Sequence, residues 1–107
     1  MKKQQSNSIA YVGGGVNFKM EDWNKIFIPG NKIQFEVSSN MQIKKVTYCW
    51  NDGKKIKVRA KKDRCIFKAK MPKGNNNFPT ILIEVNVKLP TGKCTQYGRF
   101  FQINNVY

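Results

Sequence analysis

The residues of this chain that could perform chemistry are few and widely spaced. The 107 residues include six carboxylates and no histidine, so Ser-His-Asp and Cys-His catalytic arrangements cannot form. Glu21 and Asp22 are the only adjacent carboxylates, and neighbours on an extended chain point to opposite sides, which is poor geometry for an acid–base pair. The residue types therefore predict a protein that is not an enzyme and uses no cofactor.

The cysteines do not indicate a metal site. Cys49, Cys65 and Cys94 show no Cys-x-x-Cys spacing, and with no histidine a zinc ion would lack its usual fourth ligand. Cys49 and Cys65 fall inside β-strand patterns, which predicts buried or half-buried free thiols. Such thiols fit a reducing compartment, or a particle assembled inside a cell.

The charged residues that do cluster are cationic. The chain has 20 Lys and Arg against 6 Asp and Glu, a net charge of +14, and such an excess favours acidic partners. One tract between residues 54 and 70 is opposed by Asp63 alone. Its candidate residues for binding a polyanion or an acidic partner are Lys54, Lys55, Lys57, Arg59, Lys61, Lys62, Arg64, Lys68 and Lys70.

Alternation arranges this basic tract into rows. The first outward row contains Lys55, Lys57, Arg59 and Lys61. Lys68 and Lys70 form a second row, and if the two strands are neighbours in a hairpin, the rows merge into one cationic face. Such a face attracts a phosphate backbone through release of its counterions. Lysines that protect a sheet edge from aggregation, and an acidic protein or glycan partner, are the alternatives.

Apolar residues alternate with polar ones along most of the chain, which is the period of a strand with one buried face. The longest run is Ile81–Leu89, followed by a turn at Pro90-Thr91-Gly92. About seven such strands, with turn signals every 8–12 residues and no convincing helix, predict an all-β antiparallel sandwich. No run of about 18 apolar residues exists that would span a membrane.

Three segments resemble the bacterial and phage immunoglobulin-like domains related to fibronectin type III modules. These are Val46–Trp50 followed by Asn51-Asp52-Gly53, the strand Ile81–Leu89, and the final Phe101-Gln102-Ile103. The resemblance covers roughly residues 16–104 and implies an immunoglobulin-like sandwich, although the cysteine pair that joins the sheets of antibody domains is missing. A five-stranded OB-fold barrel is the alternative fold.

The glycine run at residues 13–15 divides the chain into two predicted parts. Residues 1–15 are expected to form a flexible N-terminal arm, and residues 16–107 the immunoglobulin-like domain. Within the domain, Trp50 is expected to lie between the sheets and to be the costliest single position. The candidate residues for an assembly arm that pairs with a neighbouring subunit's sheet edge are Ser8, Ile9, Ala10, Tyr11 and Val12.

Together these patterns favour a non-enzymatic structural or binding module that acts in assembly, above all as an accessory protein of a phage particle. Its expected partners are protein subunits of that assembly. A basic nucleic-acid-binding protein, and a binding or adhesion domain of a larger surface protein, are the alternatives. The expected location is the virion or the cytoplasm because no signal peptide is visible, and the outside of the cell if the chain belongs to a longer protein.

Overall fold

The computed structural model describes residues 9–13, 15–21, 27–28, 30–73 and 79–103. These residues form eight β-strands and no helix. The strands are β1 (Ile9–Gly13), β2 (Val16–Met20), β3 (Lys32–Ser39), β4 (Gln42–Trp50), β5 (Ile56–Val58), β6 (Arg64–Lys70), β7 (Thr80–Lys88) and β8 (Cys94–Gln102). Accordingly, the described part of the chain holds no helix of the length and apolarity that a membrane crossing requires.

The strands pair into two four-stranded antiparallel sheets. Sheet 1 has the order β1-β2-β3-β6, and sheet 2 has the order β5-β4-β7-β8. No described strand pairs with a strand of the other sheet, so the sheets do not close into a barrel. The predicted all-β antiparallel sandwich is confirmed, and the alternative of an OB-fold barrel is wrong.

The core lies between the inward faces of the two sheets. Every second side chain of β3 and β7 is fully buried, as the alternation of the sequence predicts. These side chains are Ile33, Phe35, Val37, Ile81, Ile83, Val85 and Val87. Since burying apolar surface stabilises a fold by about 25 cal/mol per Å², these two central strands carry much of the stability.

Aromatic contacts join the two sheets across this core. The ring of Phe35 in sheet 1 lies 5.6 Å from the ring of Phe67 and 5.6 Å from that of Phe101. Tyr48 of sheet 2 stacks on Phe67 with ring centroids 5.3 Å apart. Aromatic pairs of this kind add about 0.5–1.5 kcal/mol each beyond their area, so Phe35 and Phe67 act as connectors between the layers.

Trp50 lies on the inward face of β4, as predicted, but at the end of the strand. It is opposite Ile81 and packs against the core while remaining half-buried. Phe35 has no exposed surface. Phe35 therefore replaces Trp50 as the position where truncation is expected to cost the most.

A β-bulge interrupts the alternation of β4. The pairing of β4 with β7 shifts between Ile43 and Lys45. Ile43 and Val46 are both buried although they are three positions apart, whereas Lys44 and Lys45 are both exposed. The extra residue shifts the inward–outward alternation of β4 by one position, so that both Ile43 and Val46 face the core.

The turns that frame sheet 2 have the residues their geometry requires. Asn51 and Asp52 have φ of 50° and 60°, positive at both central positions as in a type I′ turn. Gly92 closes the predicted turn between β7 and β8 with φ of 94°, and its N–H donates to the Leu89 carbonyl at 2.9 Å. Glycine adopts this left-handed conformation at little steric cost.

The predicted N-terminal arm contributes a strand to sheet 1. β1 pairs with β2 of the same chain, from Ile9 opposite Met20 to Gly13 opposite Val16. The sequence-based boundary at residue 15 therefore falls in the turn between two paired strands. Residues 1–8 and residue 14, which include Ser8 of the predicted arm, lie outside the described residues.

Candidate functional site

The basic tract does not form one face. β5 pairs with β4 at one edge of sheet 2, whereas β6 pairs with β3 at one edge of sheet 1. These two strands are therefore not hairpin neighbours, so the condition for a merged cationic face is not met and the two rows stay separate. All nine candidate cations are exposed, but they are distributed over the outward face of sheet 2, a crossover at residues 59–63, and the outward face of sheet 1.

On sheet 2, Lys55 is held by a carboxylate. Its Nζ lies 2.9 Å from Oε1 of Glu84, and the second oxygen of Glu84 accepts a hydrogen bond from Nε2 of Gln96 at 2.9 Å. The hydrogen bond and charge of Glu84 raise the pKa of Lys55. Lys57 lies opposite Thr47 on the same outward face and forms no ion pair with a described residue, so its charge stays available to a partner.

The crossover exposes Arg59, Lys61 and Lys62 to solvent. The thiol of Cys65 donates a hydrogen bond to the Arg59 carbonyl at 3.3 Å. Burial raises the pKa of this thiol to about 11, so it keeps its proton at neutral pH. Backbone hydrogen bonds of 2.6–3.0 Å fix the rest of the crossover in the pairs Lys61 with Arg64, Lys62 with Ile43, and Asp63 with Ser39.

On sheet 1, the outward side of β6 carries Arg64, Lys68 and Lys70. Arg64 Nε lies 3.5 Å from Oε2 of Glu36. Lys70 lies directly opposite Lys32, and like charges opposite each other on a sheet destabilise it. An anion bound at this end of β6 would relieve that repulsion.

Among the described strands, β8 forms an edge of sheet 2, and the sequence patterns did not single it out. It has nine residues, and its pairing with β7 runs without a shift from Thr80 opposite Gln102 to Lys88 opposite Cys94. Its one charged residue, Arg99, lies opposite the inward-facing Ile83. An inward charge discourages edge pairing to some degree, yet the strand is much less protected than β6. The sequence signal that could have identified this edge is the single charge among the nine residues of the strand.

The free side of β8 offers main-chain groups at alternate residues. The Ile103 N–H donates to the Pro79 carbonyl, and the Lys93 carbonyl accepts from the Leu89 N–H, so the odd-numbered residues of β8 bond to β7. The even-numbered residues direct their N–H and C=O groups to the free edge. Among them, Phe100 is 60% exposed on the outward face.

The cysteines and carboxylates do not gather into a metal site. Within the described ranges, no three of these side chains come together as metal ligands. Cys49 and Cys65 are buried free thiols, as predicted, and Cys94 is an exposed one.

Comparison with protein-family models, with curated proteins and with solved structures finds no match for this chain. The resemblance to immunoglobulin-like domains therefore remains a prediction from the sequence patterns. What the protein does has to be argued from its surfaces.

Proposed function

We propose that this chain is a non-enzymatic β-sandwich module that acts in assembly, as an accessory protein of a virion, and docks on a neighbouring subunit through the free edge of β8. The observation that carries the proposal is the character of that edge: nine residues in regular register with a single charge. A strand added to such an edge gains main-chain hydrogen bonds at alternate residues.

The other sheet edges suit this role less well. β5 has three residues, and β6 carries three outward cations that repel most strands. The predicted assembly arm is paired as β1 with β2 and is itself an edge of sheet 1, but this strand has five residues against nine in β8. β8 therefore offers an added strand more main-chain hydrogen bonds.

Charge indicates what kind of neighbour β8 accepts. Two copies of a chain with a net charge of +14 repel each other, which favours a different protein subunit over a second copy. Beside the edge, Phe100 is exposed and lies opposite the half-buried Leu82 on the outward face. This pair gives a docked subunit an apolar contact next to the main-chain bonds.

The test removes one donor from the free edge. Gly98 has an even number, so its N–H points away from β7, and Gly98→Pro deletes that donor at a position where an edge strand tolerates proline. Gly98→Ala is the matched control, because a Cβ there meets its nearest neighbours at 3.5–3.6 Å, which is ordinary contact.

Tagged parent and variants are expressed in the source cells, and the chain is quantified in purified virus particles. We expect the parent and Gly98→Ala to be incorporated equally and Gly98→Pro to be reduced about tenfold or more, since a main-chain bond is lost and the added strand is displaced. The melting temperature of each variant is measured on the purified chain. Equal incorporation of a folded Gly98→Pro, or absence of the parent from the particles, would contradict the proposal.

A further inference from the structure

A second sheet edge combines main-chain groups, charge and an apolar depression. The depression, of about 410 Å³, lies where the crossover meets β6. Its lining residues are Arg59, Ala60, Lys61, Arg64, Cys65 and Ile66. Three of these are apolar or neutral and three are cationic, so the site suits an apolar group that is flanked by negative charge.

Beyond this depression, no described strand pairs with the outer side of the β6 backbone. The Met71 N–H donates to the Asn31 carbonyl of the β3 side, and the Lys61 N–H donates to the Arg64 carbonyl on the other side. The odd-numbered residues of β6 therefore bond to β3, and the even-numbered ones face the free edge. Ile66, Lys68 and Lys70 thus offer N–H and C=O groups there.

Charge selects the strand that could use these groups. Lys68 and Lys70 lie on the outward face, with Lys32 opposite Lys70, and neither forms an ion pair with a described residue. Lysines on an edge repel basic strands, including a second copy of this chain, and disfavour pairing with neutral strands. They attract an acidic strand, because opposite charges on neighbouring strands stabilise a sheet.

We propose that an extended acidic peptide segment of another protein adds to the free edge of β6, with carboxylates beside Lys68 and Lys70 and one apolar side chain in the depression next to Ile66. This surface is separate from that of β8, since β6 lies at an edge of sheet 1 and β8 at an edge of sheet 2. The chain would then connect a particle subunit to an acidic partner.

The same features favour a peptide over a nucleic acid. Donors and acceptors alternate along the free edge of β6, which matches a peptide backbone, whereas carbonyl oxygens repel phosphates. Ile66 is 51% exposed between the cations, and an apolar side chain gains nothing from a phosphate backbone. A polyanion would use the charges and leave the edge unused.

The experiment separates main-chain pairing from charge. The probe is a short fluorescein-labelled peptide in which Glu alternates with Thr around one Leu, and its binding to the full chain is measured by fluorescence anisotropy. Lys68→Ala removes one charge and should weaken binding about twofold to fivefold. Lys68→Pro removes the same charge and the edge donor, and should weaken binding about tenfold more.

Equal losses in Lys68→Ala and Lys68→Pro, or no binding by the parent, would overturn the inference. Amide hydrogen exchange of the parent gives a second test that needs no variant, because the Lys68 and Lys70 amides must slow when the peptide binds. Unchanged exchange contradicts edge pairing. Displacement of the peptide by duplex DNA, combined with equal losses in the two variants, would favour nucleic acid. Gly98→Pro should bind the peptide like the parent, so failure here and failure of the β8 proposal are distinguishable.

Discussion

Phe35 is a buried aromatic residue of sheet 1 whose ring packs against both sheets. Its ring lies 5.6 Å from that of Phe67 within sheet 1 and 5.6 Å from that of Phe101 in sheet 2, and it has no exposed surface. We expect Phe35→Ala to lower the free energy of unfolding by about 3–5 kcal/mol, since truncating a buried aromatic leaves a cavity. Urea denaturation measures this loss.

Trp50 provides the comparison. It is half-buried, and its Nε1 is buried without a hydrogen-bond partner among the described residues, an arrangement that costs about 1–3 kcal/mol. Removing the indole relieves that cost, so Trp50→Ala should lose clearly less stability than Phe35→Ala. Trp50→Phe, which keeps an aromatic ring without the N–H, should be close to neutral. If Trp50→Ala lost more unfolding free energy than Phe35→Ala, the indole would contribute more than Phe35 to the packing between the sheets.

Cys65 makes stability depend on pH in the alkaline range. Burial raises its pKa from 9.0 to about 11, so the folded chain holds this proton more strongly than the unfolded chain does. The resulting stabilisation is complete below pH 9 and is lost as pH rises through about 11. Cys65→Ser has no thiol to ionise but keeps a donor for the Arg59 carbonyl.

We therefore expect the parent to lose on the order of 1 kcal/mol of unfolding free energy relative to Cys65→Ser between pH 8 and 10.5. Denaturant titrations of both proteins at each pH measure it, and the lysines, common to both, cancel in the difference. Cys94→Ser, at an exposed position, is the control and should show no such change. A pH-independent difference would mean that the Cys65 thiol is accessible to water.

At the scale of the strands, alternation predicts which side chains of a strand face the core, but it does not predict which strands pair with each other. The inward sets of β3 and β7 were predictable because each apolar residue stands two positions from the next. The turn at Pro90-Thr91-Gly92 was predictable because glycine there supports φ of 94°. By contrast, β5 and β6 follow each other in the chain with the same alternation of Lys and apolar residues, and the sequence has no local signal that assigns them to different sheets.

What separates β5 from β6 is a set of contacts with distant residues. Lys62 and Asp63 accept backbone hydrogen bonds from Ile43 and Ser39, which lie at the start of β4 and the end of β3. These partners are about twenty residues away in the chain, so a pattern over neighbouring residues cannot show them. For the same reason the nine cations could be predicted as exposed, while the division of their rows between opposite faces could not.

At the scale of the whole molecule, the cations of the basic tract are spread over both outward faces and the crossover between them. Lys57 projects from sheet 2 and Lys68 and Lys70 project from sheet 1, in opposite directions, because each lies on the outward side of its own sheet. A flexible acidic chain can follow β6 into the crossover. A straight, stiff polyanion can meet one face at a time.

Duplex DNA therefore gives a whole-molecule test of this arrangement. Log affinity should fall linearly with log salt at about −0.9 per phosphate neutralised, so contact with roughly three phosphates on one face gives a slope near −3, against about −5 for a merged face. Anisotropy titrations of a labelled duplex at several salt concentrations measure the slope. A slope near −5 would mean that the duplex contacts both faces together.

Paired charge reversals identify the face that carries the contact. The double change Lys68→Glu with Lys70→Glu acts on sheet 1, and Lys57→Glu with Arg59→Glu acts on sheet 2 and the crossover. Exposed charges contribute little to stability, so the melting temperatures should stay close to the parent value. If the faces act separately, one double variant should reduce the magnitude of the salt slope by about two, and the other should leave it unchanged. Two equal reductions would require both rows to contact the same duplex, which the opposite directions of the two sheets' outward faces do not allow for straight DNA.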